Sequence, residues 1–192
     1  LAQTPPGSFL RLAAELVAHH YLPLDLLAIG KHPLATGGMA PAPFRQLIRD
    51  IEVSLLRGPR PASGLAALID LVPAEQANMK ELLETIGLMA TDFTAAMAGS
   101  KIALGELLKT HIAFMEALAT SDEHSGRTRL WSGDDGEATA GFVAELMEVS
   151  NVLGEIKPVS YPALLDVLMT GRTVRPNFGS HPRLMILGLL EA

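Results

Sequence analysis

The sequence predicts an all-α fold, a multi-helix domain with at most one strand, and three observations carry that expectation. Apolar residues recur at helical spacing through most of the 192 residues. Proline and glycine punctuate the chain where one helix would stop and the next begin. A single segment, near the C-terminus, has the continuous apolar character of a buried strand. Hydrophobic residues make up 48% of the chain and charged ones 19%, enough apolar surface for a full core and too much for a disordered chain. Aromatics are only 5%, so the core must rest on close packing of Leu- and Ala-rich helix faces.

Taken in order, Pro5-Pro6-Gly7-Ser8 opens a helix whose apolar positions are Phe9, Leu12, Leu16 and Val17. Pro23 starts a short helix through Ile29, closed by Gly30 and stopped by Pro33. Phe44, Leu47, Ile48, Ile51, Leu55 and Leu56 follow the i, i+3, i+4, i+7 rule, and Gly58-Pro59 ends that helix. Residues 65–71 form two turns before Pro73. Two long helices follow, 74–98 and 101–119, joined at Gly99-Ser100 with Ser100 as the cap of the second. Residues 121–136 read as irregular, and 137–150 and 160–170 as the last helices. The apolar run 184–190 reads as a strand that lacks partners within the chain, or alternatively as a C-terminal helix. The chain opens on Leu1, and that run ends two residues before its last residue. The expectation is therefore a helical domain over 1–183, with 184–192 beginning a strand of a neighbouring domain.

Several chemistries are excluded or weakened. Without cysteine there are no disulfides, thiolate metal sites or cysteine nucleophiles. The longest uncharged run, between Lys31 and Arg45, is broken by prolines and glycines, so no membrane span is expected. Gly30-Lys31 is followed by His32-Pro33 and lacks the leading glycine of a phosphate-binding loop. No serine has glycines at both −2 and +2, and no His-Glu-x-x-His spacing occurs. His19 and His20 point to different sides of a helix end, which argues against a joint metal site. Asp134-Asp135-Gly136-Glu137 lacks calcium-loop spacing and reads instead as helix capping and dipole pairing. No catalytic residue and no metal ligand is assigned.

The net charge of −6 is unevenly spread. Residues 31–60 carry a net +3 (Lys31, Arg45, Arg49, Arg57 and Arg60 against Asp50 and Glu52), residues 61–156 a net −10, and residues 157–192 a net +2. The two basic segments fit either an ordinary mixed surface or contact with phosphates.

Four stretches resemble a known family. Leu26-Leu27-Ala28-Ile29-Gly30-Lys31-His32-Pro33-Leu34 is the first, and Glu52 with Leu55-Leu56-Arg57-Gly58-Pro59-Arg60-Pro61 and Gly64-Leu65 the second. The third runs from Leu130-Trp131 to Gly136-Glu137, and the fourth from Gly179-Ser180-His181-Pro182-Arg183 to Leu190-Glu191-Ala192. In this order they resemble segments of the AddB family, subunits of bacterial AddAB helicase–nucleases that process double-strand DNA breaks. The resemblance implies a cytoplasmic, ATP-dependent helicase/exonuclease parent, with its ATP/Mg site and iron–sulfur cluster outside these residues. No cofactor is implied within them. The chain would correspond to the accessory domain 2B of UvrD-like helicases, contacting double-stranded DNA weakly on its own, an AddA-like helicase–nuclease subunit, or both. The competing expectation is a protein-docking module with no DNA contact. The arginines expected to meet DNA are Arg57, Arg60, Arg172, Arg175 and Arg183, because they lie in loop-rich segments and carry the planar fork that binds phosphate oxygens.

Overall fold

Two helices with broad apolar faces organise the molecule. In the computed structural model, which describes residues 1–57 and 61–174, the first of these, α1, runs Pro5–Ala18. The Thr4 side chain accepts from the Gly7 amide at 3.2 Å, and Pro5 and Pro6 fill first-turn positions where an amide would have no partner. Phe9, Leu10, Ala13, Ala14, Leu16 and Val17 are buried, a stripe wide enough to take neighbours on several sides. Helices α2 (Pro23–Gly30) and α3 (Pro41–Ile51) follow, each with proline in its first turn. The expected continuation of α3 to Leu56 is a π-helical turn, Glu52–Leu56. The short α4 spans Leu65–Ile69.

The long helix expected over 74–98 is two helices, α5 (Ala77–Met89) and α6 (Thr91–Met97). Ala90 leaves helical geometry at φ −92°, ψ 1°, and the Thr91 hydroxyl donates back to the Gly87 carbonyl at 3.1 Å. The break lets Phe93 enter the core, where it is fully buried.

The second organising helix is α7 (Leu104–Ala119), which packs against α1, α5, α6 and two later helices. Its buried positions Leu104, Leu107, Leu108, His111, Phe114, Met115 and Leu118 keep strict helical spacing. Ser100 does not cap it. Ile102–Ala103 forms β1, pairing antiparallel with β2 (Glu155–Ile156) in a register of Ile102 with Ile156, so α7 begins only at Leu104. The expected irregular stretch 121–136 contains α8 (Gly126–Trp131) and the start of α9 (Gly133–Leu153), separated by Ser132. Ser125 caps α8 by accepting from the Thr128 amide at 3.2 Å. Glycine is required at both starts. A Cβ at Gly126 would overlap the Glu116 carbonyl oxygen of α7, and one at Gly136 would press on the Trp131 backbone. A 3₁₀ turn (Pro158–Ser160) leads into α10 (Tyr161–Met169), which packs on α1.

The described residues are mostly helical, in agreement with the all-α expectation, with one two-stranded ladder added. No helix among them is long and apolar enough to cross a membrane. The apolar run 184–190 and the boundary at 183 lie outside the described residues.

Candidate functional site

Among the described residues three polar constellations invite a functional reading, and two of them serve the fold. The first joins Ser8 at the start of α1 to His32, with 3.1 Å between Oγ and Nε2. The pairing looks like a nucleophile and its base, but the Leu34 amide donates to His32 Nδ1 at 3.2 Å, which leaves the ring proton on Nε2, facing Ser8. The Ser8 hydroxyl donates to the Thr4 carbonyl at 2.9 Å. Burial lowers His32 to a pKa of about 4, and no carboxylate orients it. His32 is a fastener between α1 and the loop after α2.

The second constellation lies in the core. His111 stacks on Phe93 at 4.6 Å with 11° between ring planes, and its Nδ1 is 2.9 Å from the Tyr161 hydroxyl. His111 and Tyr161 are both wholly buried, and among the described residues His111 Nε2 makes no hydrogen bond of regular geometry. Burial drives His111 to a pKa of about 3, against a weaker opposing effect of the Leu10 carbonyl, and raises Tyr161. Both rings are therefore neutral at physiological pH. Neither reaches solvent, so the pair packs rather than catalyses.

The third is a cluster of cations around one carboxylate. Lys31 closes α2, Arg45 and Arg49 are one turn apart on α3, Glu52 opens the π turn, and Arg57 follows it. The i, i+4, i+7 spacing of Arg45, Arg49 and Glu52 sets them on one side of the helix, bordering the buried Ile48. Lys31 Nζ is 2.6 Å and the Arg57 guanidinium 3.9 Å from the two oxygens of Glu52. The Lys31 hydrogen bond, aided by attraction to Lys31 and Arg57, holds the Glu52 carboxyl below its usual range. The Arg49 guanidinium donates to Gln46 at 2.8 Å, and Gln46 in turn donates to Asp50. Arg45 has no hydrogen bond or ion pair among the described residues. A cleft of about 260 Å³ opens between α2 and α3, lined by Gly30, Lys31, Arg45, Ile48, Arg49 and Glu52.

Arg129 extends this positive region from α8. It donates to the carbonyls of Leu34 at 3.0 Å and Ala119, and to the Thr36 hydroxyl at 2.5 Å. Thr36 itself donates to the Thr120 carbonyl at 2.8 Å. Arg129 thus ties the 33–38 loop to the C-terminal end of α7, where cations suit the helix dipole. Its pKa is lowered first by burial and then by repulsion from Arg45.

Of the arginines expected to contact DNA, Arg57 belongs to this cluster and is exposed. Arg172 is engaged elsewhere, 2.7 Å from Glu145 Oε2 and 4.9 Å over the Phe142 ring. Arg60, Arg175 and Arg183 lie outside the described residues. Arg45, Arg49 and Lys31 belong to the basic segment 31–60, and the i, i+4 spacing of Arg45 and Arg49 is visible in the sequence. Arg129 lies in the acidic middle of the chain and gives no such signal. Asp134 and Asp135 occupy the first turn of α9, where they suit its dipole, with Ser132 as the N-cap residue. Among the described residues no group of three or more His, Asp or Glu side chains could hold a metal ion. Comparison of the chain with protein-family models, with curated proteins and with solved structures found no match.

Proposed function

We propose that the chain is a non-catalytic accessory domain of an ATP-dependent helicase–nuclease acting on double-strand breaks, and that it meets the DNA backbone through the α2–α3 face. The observation that carries the DNA contact is the grouping of Lys31, Arg45, Arg49 and Arg57 near the single cleft carboxylate of Glu52. The resemblance to the AddB family and to the 2B accessory domain supplies the helicase context. Side chains one helical turn apart have Cβ atoms about 5–6 Å from each other, a spacing that lets Arg45 and Arg49 reach neighbouring phosphates of one strand. Each guanidinium fork can take two phosphate oxygens and release a condensed counterion. The acidic remainder of the chain opposes a long duplex, so binding is weak, salt-dependent and indifferent to base sequence.

A fluorescence-anisotropy titration with short duplexes of different sequence, near 50 mM salt and upwards, tests this reading. The Arg45→Ala, Arg49→Ala double variant should weaken binding equally for every duplex and flatten the salt slope by roughly two, about one per lost phosphate contact. Sequence-selective binding, or a double variant indistinguishable from the parent, would refute it. A second reading, docking on a partner subunit, is favoured by Val149, Val152 and Leu153, exposed at 45%, 88% and 52% along the last turns of α9.

A further inference from the structure

We infer that the cleft between α2 and α3 is a seat for one phosphodiester group, and that Glu52 is a resident anion which the bound phosphate displaces. The inference rests on the α2–α3 face being the DNA contact and goes on to assign how that contact is made. Every charged side chain lining the cleft other than Glu52 is a cation. The Glu52 carboxylate presents two oxygens to two cations, Lys31 and Arg57, in the manner of a phosphate group. Its side chain is only 22% exposed, whereas those of Lys31 and Arg57 are 50% and 68% exposed and free to turn towards solvent. Arg45, beside it, has no partner among the described residues and bears on Arg129. The cleft is thus lined by Arg45, which has no partner among the described residues, Arg49, which donates to Gln46, and Lys31, which Glu52 holds together with Arg57 just outside the lining.

An incoming phosphodiester carries the same single charge as Glu52. It would bind first to Arg45 and Arg49, and its charge then repels the carboxylate. Lys31 and Arg57 transfer to the DNA as Glu52 turns out. Glu52 stands where α3 widens into the π turn, a backbone irregularity that recurs at functional sites. In the free protein the carboxylate keeps the positive cluster partly neutralised and suppresses contact with other polyanions.

The test compares duplex binding by the parent chain, Glu52→Gln, Glu52→Ala and Glu81→Gln, the last removing the same charge from exposed α5. Circular dichroism melts of each variant check folding. Both Glu52 variants should bind on the order of fivefold more tightly near 50 mM salt, with a slope steeper by about one to two contacts, while Glu81→Gln stays close to the parent. If the parent binds and the Glu52 variants bind no better than Glu81→Gln, the displacement is wrong and the DNA contact stands. If none binds at low salt, both fall.

Discussion

Acidification should destabilise this domain, chiefly through one core histidine, and the size of the effect follows from where His111 sits. The ring is wholly buried between Phe93 and Tyr161, with a folded pKa of about 3 against an ordinary value of 6.5. Below pH 6.5 the unfolded chain takes up a proton at His111 that the folded core refuses. The stabilising contribution is therefore complete above 6.5 and is lost progressively as the pH falls towards about 3. Each pH unit within that window costs about 1.4 kcal/mol, so lowering the pH from 7 to 5 removes about 2 kcal/mol through His111 alone. His32, with a folded pKa of about 4, acts in the same direction, so the parent must be compared with a variant that retains it. His111→Gln cannot titrate and still offers Tyr161 an acceptor. Urea denaturation followed by far-UV circular dichroism at several pH values gives the free energies. The parent should lose about 2 kcal/mol more than His111→Gln between pH 7 and 5. Equal losses in the two proteins would refute the assignment of a buried neutral ring.

Two further substitutions test the packing and the backbone. Gly126→Ala forces a methyl group into the Glu116 carbonyl, backbone against backbone, and should cost at least about 3 kcal/mol in urea denaturation or abolish folding. His20→Gly should stabilise by about 1 kcal/mol, seen as a higher melting temperature, because His20 holds φ +54° at the position after a helix cap where glycine is favoured. The turn itself remains intact in that variant, since the His20 amide bonds to Val17 at 3.0 Å and the Tyr21 amide to Leu16 at 2.8 Å.

The helical class and most helix starts were legible because they depend on local signals. Proline in the first turns of α1, α2 and α3, and the apolar spacing of α7, state their structure within a few residues. The misreadings fall where distant partners decide. Ala90 is a good helix former, and nothing beside it in sequence announces that α5 must break to deliver Phe93 to His111. The pairing of Ile102 with Ile156 spans two residues and has no periodic signature. The α8 start depends on a close approach to Glu116, ten residues upstream, which only Gly126 allows.

Several residues of the family-like stretches serve the architecture. His32 fastens the loop after α2, Trp131 donates to Glu116 at 2.8 Å, and Gly136 admits the Trp131 backbone. The same stretches also carry Lys31 and Arg57, the two cations that pair with Glu52. Loop position directed attention to Arg57, Arg60, Arg172, Arg175 and Arg183. The structure adds what loop position cannot express: Arg172 is held by a carboxylate and a ring, while Arg45 on a helix face is unpaired among the described residues.

Amide chemical-shift mapping with a short duplex at low salt would show whether DNA lies on the α2–α3 face. The largest shifts should fall on residues around Lys31, Arg45, Arg49 and Arg57, and vanish together as salt is raised. Shifts centred on the end of α9 or on α10, with the α2–α3 amides unmoved, would contradict that placement.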